Sequence, residues 1–89
     1  MSRLKWNFKK YQDFLKSYGF VLGHIEGSHH YYNGRISGEY RVVQVIFSKK
    51  EKDCQSIRTI NMGIKHSGIP RKYFEEWNKD NTVHKEIIF

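Results

Sequence analysis

Phe20-Val21-Leu22-Gly23-His24-Ile25-Glu26-Gly27-Ser28-His29-His30-Tyr31-Tyr32-Asn33 is the stretch on which the fold turns. Two runs rich in β-branched and aromatic residues flank Gly27-Ser28, a turn signal, so the stretch reads as strand, turn, strand. The first strand is expected over residues 20–26 and a short second one over 29–33, with Asn33-Gly34 as the turn after it. Residues 39–47 carry Tyr40, Val42, Val43, Val45, Ile46 and Phe47 and predict the strongest strand of the chain. Because its end is apolar almost throughout, it is expected to be central and partly covered on both faces.

Helices are expected on either side. Leu4, Phe8, Tyr11, Leu15 and Tyr18 fall at steps of four and three, which is one face of an amphipathic helix, and Gly19 is placed to end it. After the charged Lys49-Lys50-Glu51-Lys52-Asp53, a second helix is expected with Cys54, Ile57, Asn61 and Ile64 on one face and Ile60 beside it. Gly68 stops that helix and Pro70 introduces a short third one over 71–77, which packs Phe74 and Trp77. The tail is polar until Ile87-Ile88-Phe89, which reads equally as an edge strand or as a partner-binding end. The element order is α-β-β-β-α with a short helix added. That order predicts an α+β fold, with two helices on one face of a three-stranded antiparallel sheet and the other face, or its turns, open to a ligand.

At 89 residues the chain is read as a single domain over 1–89, with 38% hydrophobic and 16% aromatic residues, too aromatic for a disordered segment. Sixteen Lys and Arg face nine Asp and Glu, a net charge of +7 that favours a polyanionic partner. No apolar run approaches the roughly 18–20 residues that span a bilayer. The start, Met1-Ser2-Arg3-Leu4-Lys5-Trp6, lacks the apolar stretch of a signal peptide, so a cytoplasmic protein without membrane attachment is expected. Cys54 is the one cysteine, which excludes an intrachain disulfide and a cysteine-based zinc site.

The candidate chemistry sits in His29-His30. An imidazole titrates near neutral pH and can carry protons in cleavage of a phosphate backbone. On a strand the two rings point to opposite faces, so they do not form a geometric pair, and the residues alone leave either one open. Tyr31 and Tyr32 alternate in the same way, one able to stack on bases and the other to pack. His24, His66 and His84 are read as local rather than catalytic, and His24, His29 and His30 lack zinc-ligand spacing, so neither metal nor other cofactor is expected. Gly27 and Ser28 are assigned to the turn. Lys9, Lys10, Arg35, Arg41, Lys49, Lys50 and Arg58, with Tyr31, are the candidate contacts to a nucleic-acid partner. Trp6 and Trp77 read as packing residues.

A helix ending in Tyr18-Gly19-Phe20, then Gly27-Ser28-His29-His30-Tyr31-Tyr32 eight residues after Gly19, then Ile57-Arg58-Thr59-Ile60 through Ile64-Lys65-His66-Ser67-Gly68-Ile69 together resemble the HicA family of bacterial toxins. The resemblance covers roughly residues 7–70 and implies a double-stranded-RNA-binding-domain-like fold, with a core at about 4–70 and a C-terminal extension over 71–89. It also implies metal-independent mRNA cleavage with the histidine directly after Gly-Ser, here His29, as a single general acid/base, and a HicB-like antitoxin as protein partner. Where family members commonly carry a Pro-His stretch after the third strand, this chain reads Val45-Ile46-Phe47-Ser48-Lys49-Lys50. That departure supports the alternative of a non-catalytic RNA-binding or protein-interaction module on the same fold.

Overall fold

The computed structural model describes residues 4–50 and 52–89; Met1-Ser2-Arg3 of the N-terminal stretch and Glu51 of the charged run at 49–53 lie outside them. In chain order the described residues form α1 (Phe8–Ser17), β1 (Val21–Glu26), β2 (His29–Ile36), β3 (Glu39–Ile46), α2 (Ile57–Ser67) and α3 (Arg71–Asp80), with a 3-10 turn at Lys85–Ile87. The architecture is α+β, built on one antiparallel sheet of order β1-β2-β3. Among the described residues no helix is long and apolar enough to cross a membrane.

α1 begins at Phe8, not at Leu4. The Asn7 side chain caps it by accepting from the Lys10 amide at 2.8 Å. Upstream the chain is extended: the Gln55 amide donates to the Trp6 carbonyl at 2.7 Å, and Asn7 bridges Cys54. That pairing occupies the backbone groups that an earlier helical turn would have used. At the other end Gly19 takes the left-handed conformation that stops the helix.

The sheet is a meander, and its turns decide which strand lies in the middle. β1 and β2 join through Gly27-Ser28 as expected. β2 runs on through Asn33-Gly34 to Ile36, and the chain reverses at Ser37-Gly38, both with positive φ (52° and 79°), as a two-residue hairpin requires. Gly34 serves a different purpose from the expected turn. The Phe20 ring lies where a Cβ on Gly34 would stand, so the strand stays paired there and Phe20 is buried. With both connections so short, β2 is necessarily central, and β3 is not. The apolar character of β3 answers to α2, which begins beside Ile46 and runs back along β3 until Gly68 meets Arg41. Val43 and Val45 are buried beneath the helices, whereas Val42 on the other face is exposed. The end of the β3 edge is covered by Gln55, whose amide accepts from the Ile46 N–H at 3.0 Å and donates to its carbonyl at 2.7 Å.

α2 also differs from its expected face. Cys54 lies before the helix, which starts after the capping Ser56, and Ile57 and Asn61 are exposed. The buried line is Ile60, Gly63 and Ser67, with Ile64 half-buried. Small residues at Gly63 and Ser67 let the helix approach closely, and Gly63 lies directly against the Tyr11 hydroxyl and Val43.

The core extends past residue 70. α3 is longer than expected and buries Phe74 and Trp77 against α1 and the N-terminal segment: Phe14 and Phe74 are 4.3 Å apart, Trp6 and Trp77 5.4 Å. The Trp6 indole donates to Asn78 Oδ1 at 2.7 Å. The tail is not an edge strand. Ser37 and Gly38 donate to the carbonyls of Ile87 and Phe89, each at 2.7 Å, so the last residues close over the β2–β3 turn. His84 stacks on Tyr73 with ring centroids 3.8 Å apart and lies between Glu76 and Glu86.

Burial pushes the phenols of Tyr11, Tyr18 and Tyr32 above the ordinary tyrosine value of 10.0, the His84 amide offsetting part of the rise at Tyr18. The folded state therefore keeps these protons longer than the unfolded chain does. This contribution is whole below the unfolded value and is lost as pH climbs above about 10. Urea stability should change little between pH 8 and 10 and fall beyond. Tyr11 Oη has no hydrogen-bond partner among the described residues, so Tyr11→Phe should change stability at pH 7 by less than about 1 kcal/mol and make the alkaline fall shallower. An alkaline limb identical in the variant would rule out Tyr11 as a contributor.

Candidate nucleic-acid interface

Strand alternation and ladder register divide the sheet into two faces. Beneath the helices lie His30, Tyr32 and Ile36 of β2 with Val43 and Val45 of β3. The open face carries His29, Tyr31, Asn33 and Arg35, in register with Ile46, Gln44, Val42 and Tyr40. β1 adds Glu26 opposite His29 and His24 opposite Tyr31, the register shifting between Leu22 and His24. The His24 and Tyr31 rings are 5.7 Å apart, and His24 Nε2 lies 3.6 Å from the Glu26 carboxylate.

The two adjacent histidines have different surroundings. His29 is exposed on the open face beside the Gly27-Ser28 turn. His30 sits in an aromatic slot, stacked on Phe47 at 5.2 Å and 7° and edge-on to Phe8 at 5.1 Å, with Nδ1 buried and unpartnered among the described residues. The Phe47 amide donates to the Ser28 carbonyl at 2.7 Å, which holds the turn and the slot together. His30, the alternative catalyst of the sequence reading, is thus on the helix side, and its ring is a packing element. His30→Ala should cost about 1–2 kcal/mol in urea unfolding, against less than about 0.5 kcal/mol for His29→Ala. Equal losses would contradict this division.

Tyr31, as the alternation requires, is on the open face, and Tyr32 is buried with its hydroxyl donating to Gln12 Oε1 at 2.9 Å. The expected basic contacts divide. Arg58 projects from the first turn of α2 toward the open face, Arg35 lies on that face, and Lys49 and Lys50 follow β3 at the end where His29 stands. Arg41 belongs to the other face. It pairs with Glu39 at 2.6 Å and lies over Gly68, at the carbonyl end of α2, where a cation is favoured. Lys9 and Lys10 are on α1, in the helical layer, with Lys9 ion-paired to Asp13 at 3.3 Å.

Between α2 and the open face runs a cleft of about 560 Å³. Tyr31, Val42 and Gln44 form its floor, and Arg58, Thr59, Met62, Gly63 and His66 its wall. His66, Gln44 and Met62 were not among the expected contacts. The spacing Arg58, Met62, His66, successive steps of four on a helix, was the legible signal for the wall. The pairing of Gln44 with Tyr31 depends on the position of the β2–β3 turn. Among the described residues no three His, Cys, Asp or Glu gather where they could hold a metal ion. Compared with family models, characterised proteins and solved structures, the chain matches none of them.

Proposed function

We propose that this chain is a HicA-like endoribonuclease that cuts mRNA on the open sheet face without a metal, acts in the cytoplasm, and is neutralised by a HicB-like antitoxin covering that face. The fold is then of the double-stranded-RNA-binding-domain type with a third helix added. The observation that carries the reading is the position of His29. Its imidazole is exposed on the open face, at the end of the sheet that Lys49 and Lys50 follow and one side-chain repeat from Tyr31, while its neighbour His30 is stacked on Phe47 and edge-on to Phe8.

The chemistry follows from these groups. His29 takes the proton of a ribose 2′-OH, and the 2′-oxygen attacks the adjacent phosphorus. The bond from phosphorus to the 5′-oxygen breaks, leaving a 2′,3′-cyclic phosphate, and the proton goes to the departing 5′-oxygen from the imidazolium or through water. Lys49, Lys50 and Arg58 supply positive charge for the phosphorane. The requirement for a 2′-OH restricts the reaction to RNA. Incubation of the protein with RNA, with and without EDTA, tests the proposal. Cleavage that survives EDTA and leaves cyclic-phosphate ends is the expected outcome.

A second reading, a non-catalytic RNA-binding module, is favoured by one observation. The end of β3 and the loop after it, Val45 to Lys50, bring neither histidine nor proline to the His29 end of the sheet. Salt-sensitive RNA binding with no cleavage would select it.

A further inference from the structure

We infer that the cleft between α2 and the open sheet face binds one unpaired nucleotide of the RNA and reads its base, so that it selects where His29 cuts. The inference rests on the nuclease reading for its consequence, but the site itself stands on the cleft. The volume of about 560 Å³ falls within the roughly 300–1,000 Å³ of small-molecule sites. Its chemistry is divided as a nucleotide is. Tyr31 offers a ring face on which a base can stack, and Met62 an apolar thioether to pack against it. Gln44 brings an amide with a donor and an acceptor, suited to a base edge. Arg58 and His66 stand on the wall as phosphate partners, and among the described residues no acidic side chain lines the cleft.

The position relative to His29 matters as much as the lining. Tyr31 follows His29 by two residues on the same face, roughly 7 Å along the strand. A nucleotide seated on Tyr31 therefore places its neighbouring phosphate at the exposed imidazole.

The test is nuclear magnetic resonance titration of the full chain with the four ribonucleoside 5′-monophosphates and, separately, inorganic phosphate. The nucleotides should shift the amides of Tyr31, Gln44, Arg58 and Met62, with affinities that differ among the bases. Tyr31→Ala should weaken binding about 5- to 150-fold, the range of one base–aromatic stack. Gln44→Leu should bring the four affinities together. Arg58→Gln, at an exposed helical position, supplies a folded second variant and should weaken every nucleotide alike. Absence of shifts in the cleft, or inorganic phosphate binding as tightly as the nucleotides, would overturn the inference. Because binding is read without cleavage, a protein that takes nucleotides here and cuts no RNA defeats the nuclease reading alone. One that cuts RNA with the cleft unperturbed defeats the cleft alone.

Discussion

The His29→Ala protein is expected to lose RNA cleavage by a factor on the order of 10²–10⁴, the usual contribution of a positioned general acid or base, with its folding stability within about 0.5 kcal/mol of the parent. Both halves of the result follow from one fact of strand geometry. His29 projects into solvent on the open face and touches none of the core, so removing its ring leaves packing intact. His30 gives the complementary result. Its ring fills the slot between Phe8 and Phe47, so its alanine variant should unfold at lower urea and, at temperatures where it is folded, still cut RNA. The measurement is paired: initial cleavage rate on one RNA, and urea midpoint, for both variants. Cleavage undiminished in His29→Ala would remove the proposed catalyst. Loss of cleavage in a fully folded His30→Ala protein would move the chemistry to the other face.

The largest stability effect of a small change is expected at Gly63. A Cβ added there meets the Tyr11 hydroxyl and ring carbon, with Val43 beside them, and both side chains are fully buried. Gly63→Ala would ordinarily stabilise a helix by roughly 1 kcal/mol. Here overpacking should dominate and leave a net loss of about 2–3 kcal/mol, lowering Tm by roughly 10–20 °C in a domain of this size. Tyr11→Phe removes the atom that lies closest to the added carbon. Combining it with Gly63→Ala should recover about 1–2 kcal/mol, a coupling energy of the size expected for residues in direct contact. If the two changes add independently, α2 approaches Tyr11 of α1 less closely at Gly63 than described above.

How far these features were legible can be judged position by position. Alternation along residues 29–32 was enough to place His29 and Tyr31 on one face and His30 and Tyr32 on the other, because side-chain direction on a strand depends only on parity. Helix stops at Gly19 and Gly68 were equally direct, since few residues other than glycine take their left-handed conformation. The β2–β3 turn was misplaced for a physical reason. Asn33-Gly34 has turn chemistry, but Gly34 is spent on accommodating the Phe20 ring, a contact 14 positions away that no local pattern announces. Likewise the buried line of α2 runs through Gly63 and Ser67, which a search for large apolar residues passes over. Arg41 looked like any basic strand residue until the register showed it opposite Gly34, on the helix side. The cleft depends on how α2 lies against β3, and only its helical wall had a signature in the spacing.

β1 gives the open face an unequal stability. All six of its residues are exposed, with Val21 63% and Ile25 52% accessible, so apart from its ladder to β2 little holds it. It is tethered at one end by buried Phe20 and at the other by the Gly27-Ser28 turn. Such a strand opens at a free energy well below that of global unfolding. Its amides should exchange with solvent ahead of those in β2 and β3. When it lifts, His24 and Glu26 leave the Tyr31 side of the face together, while the cleft between α2 and β3 keeps its shape. The open face is therefore a rigid half beside a movable one, with the His29 backbone on the boundary between them.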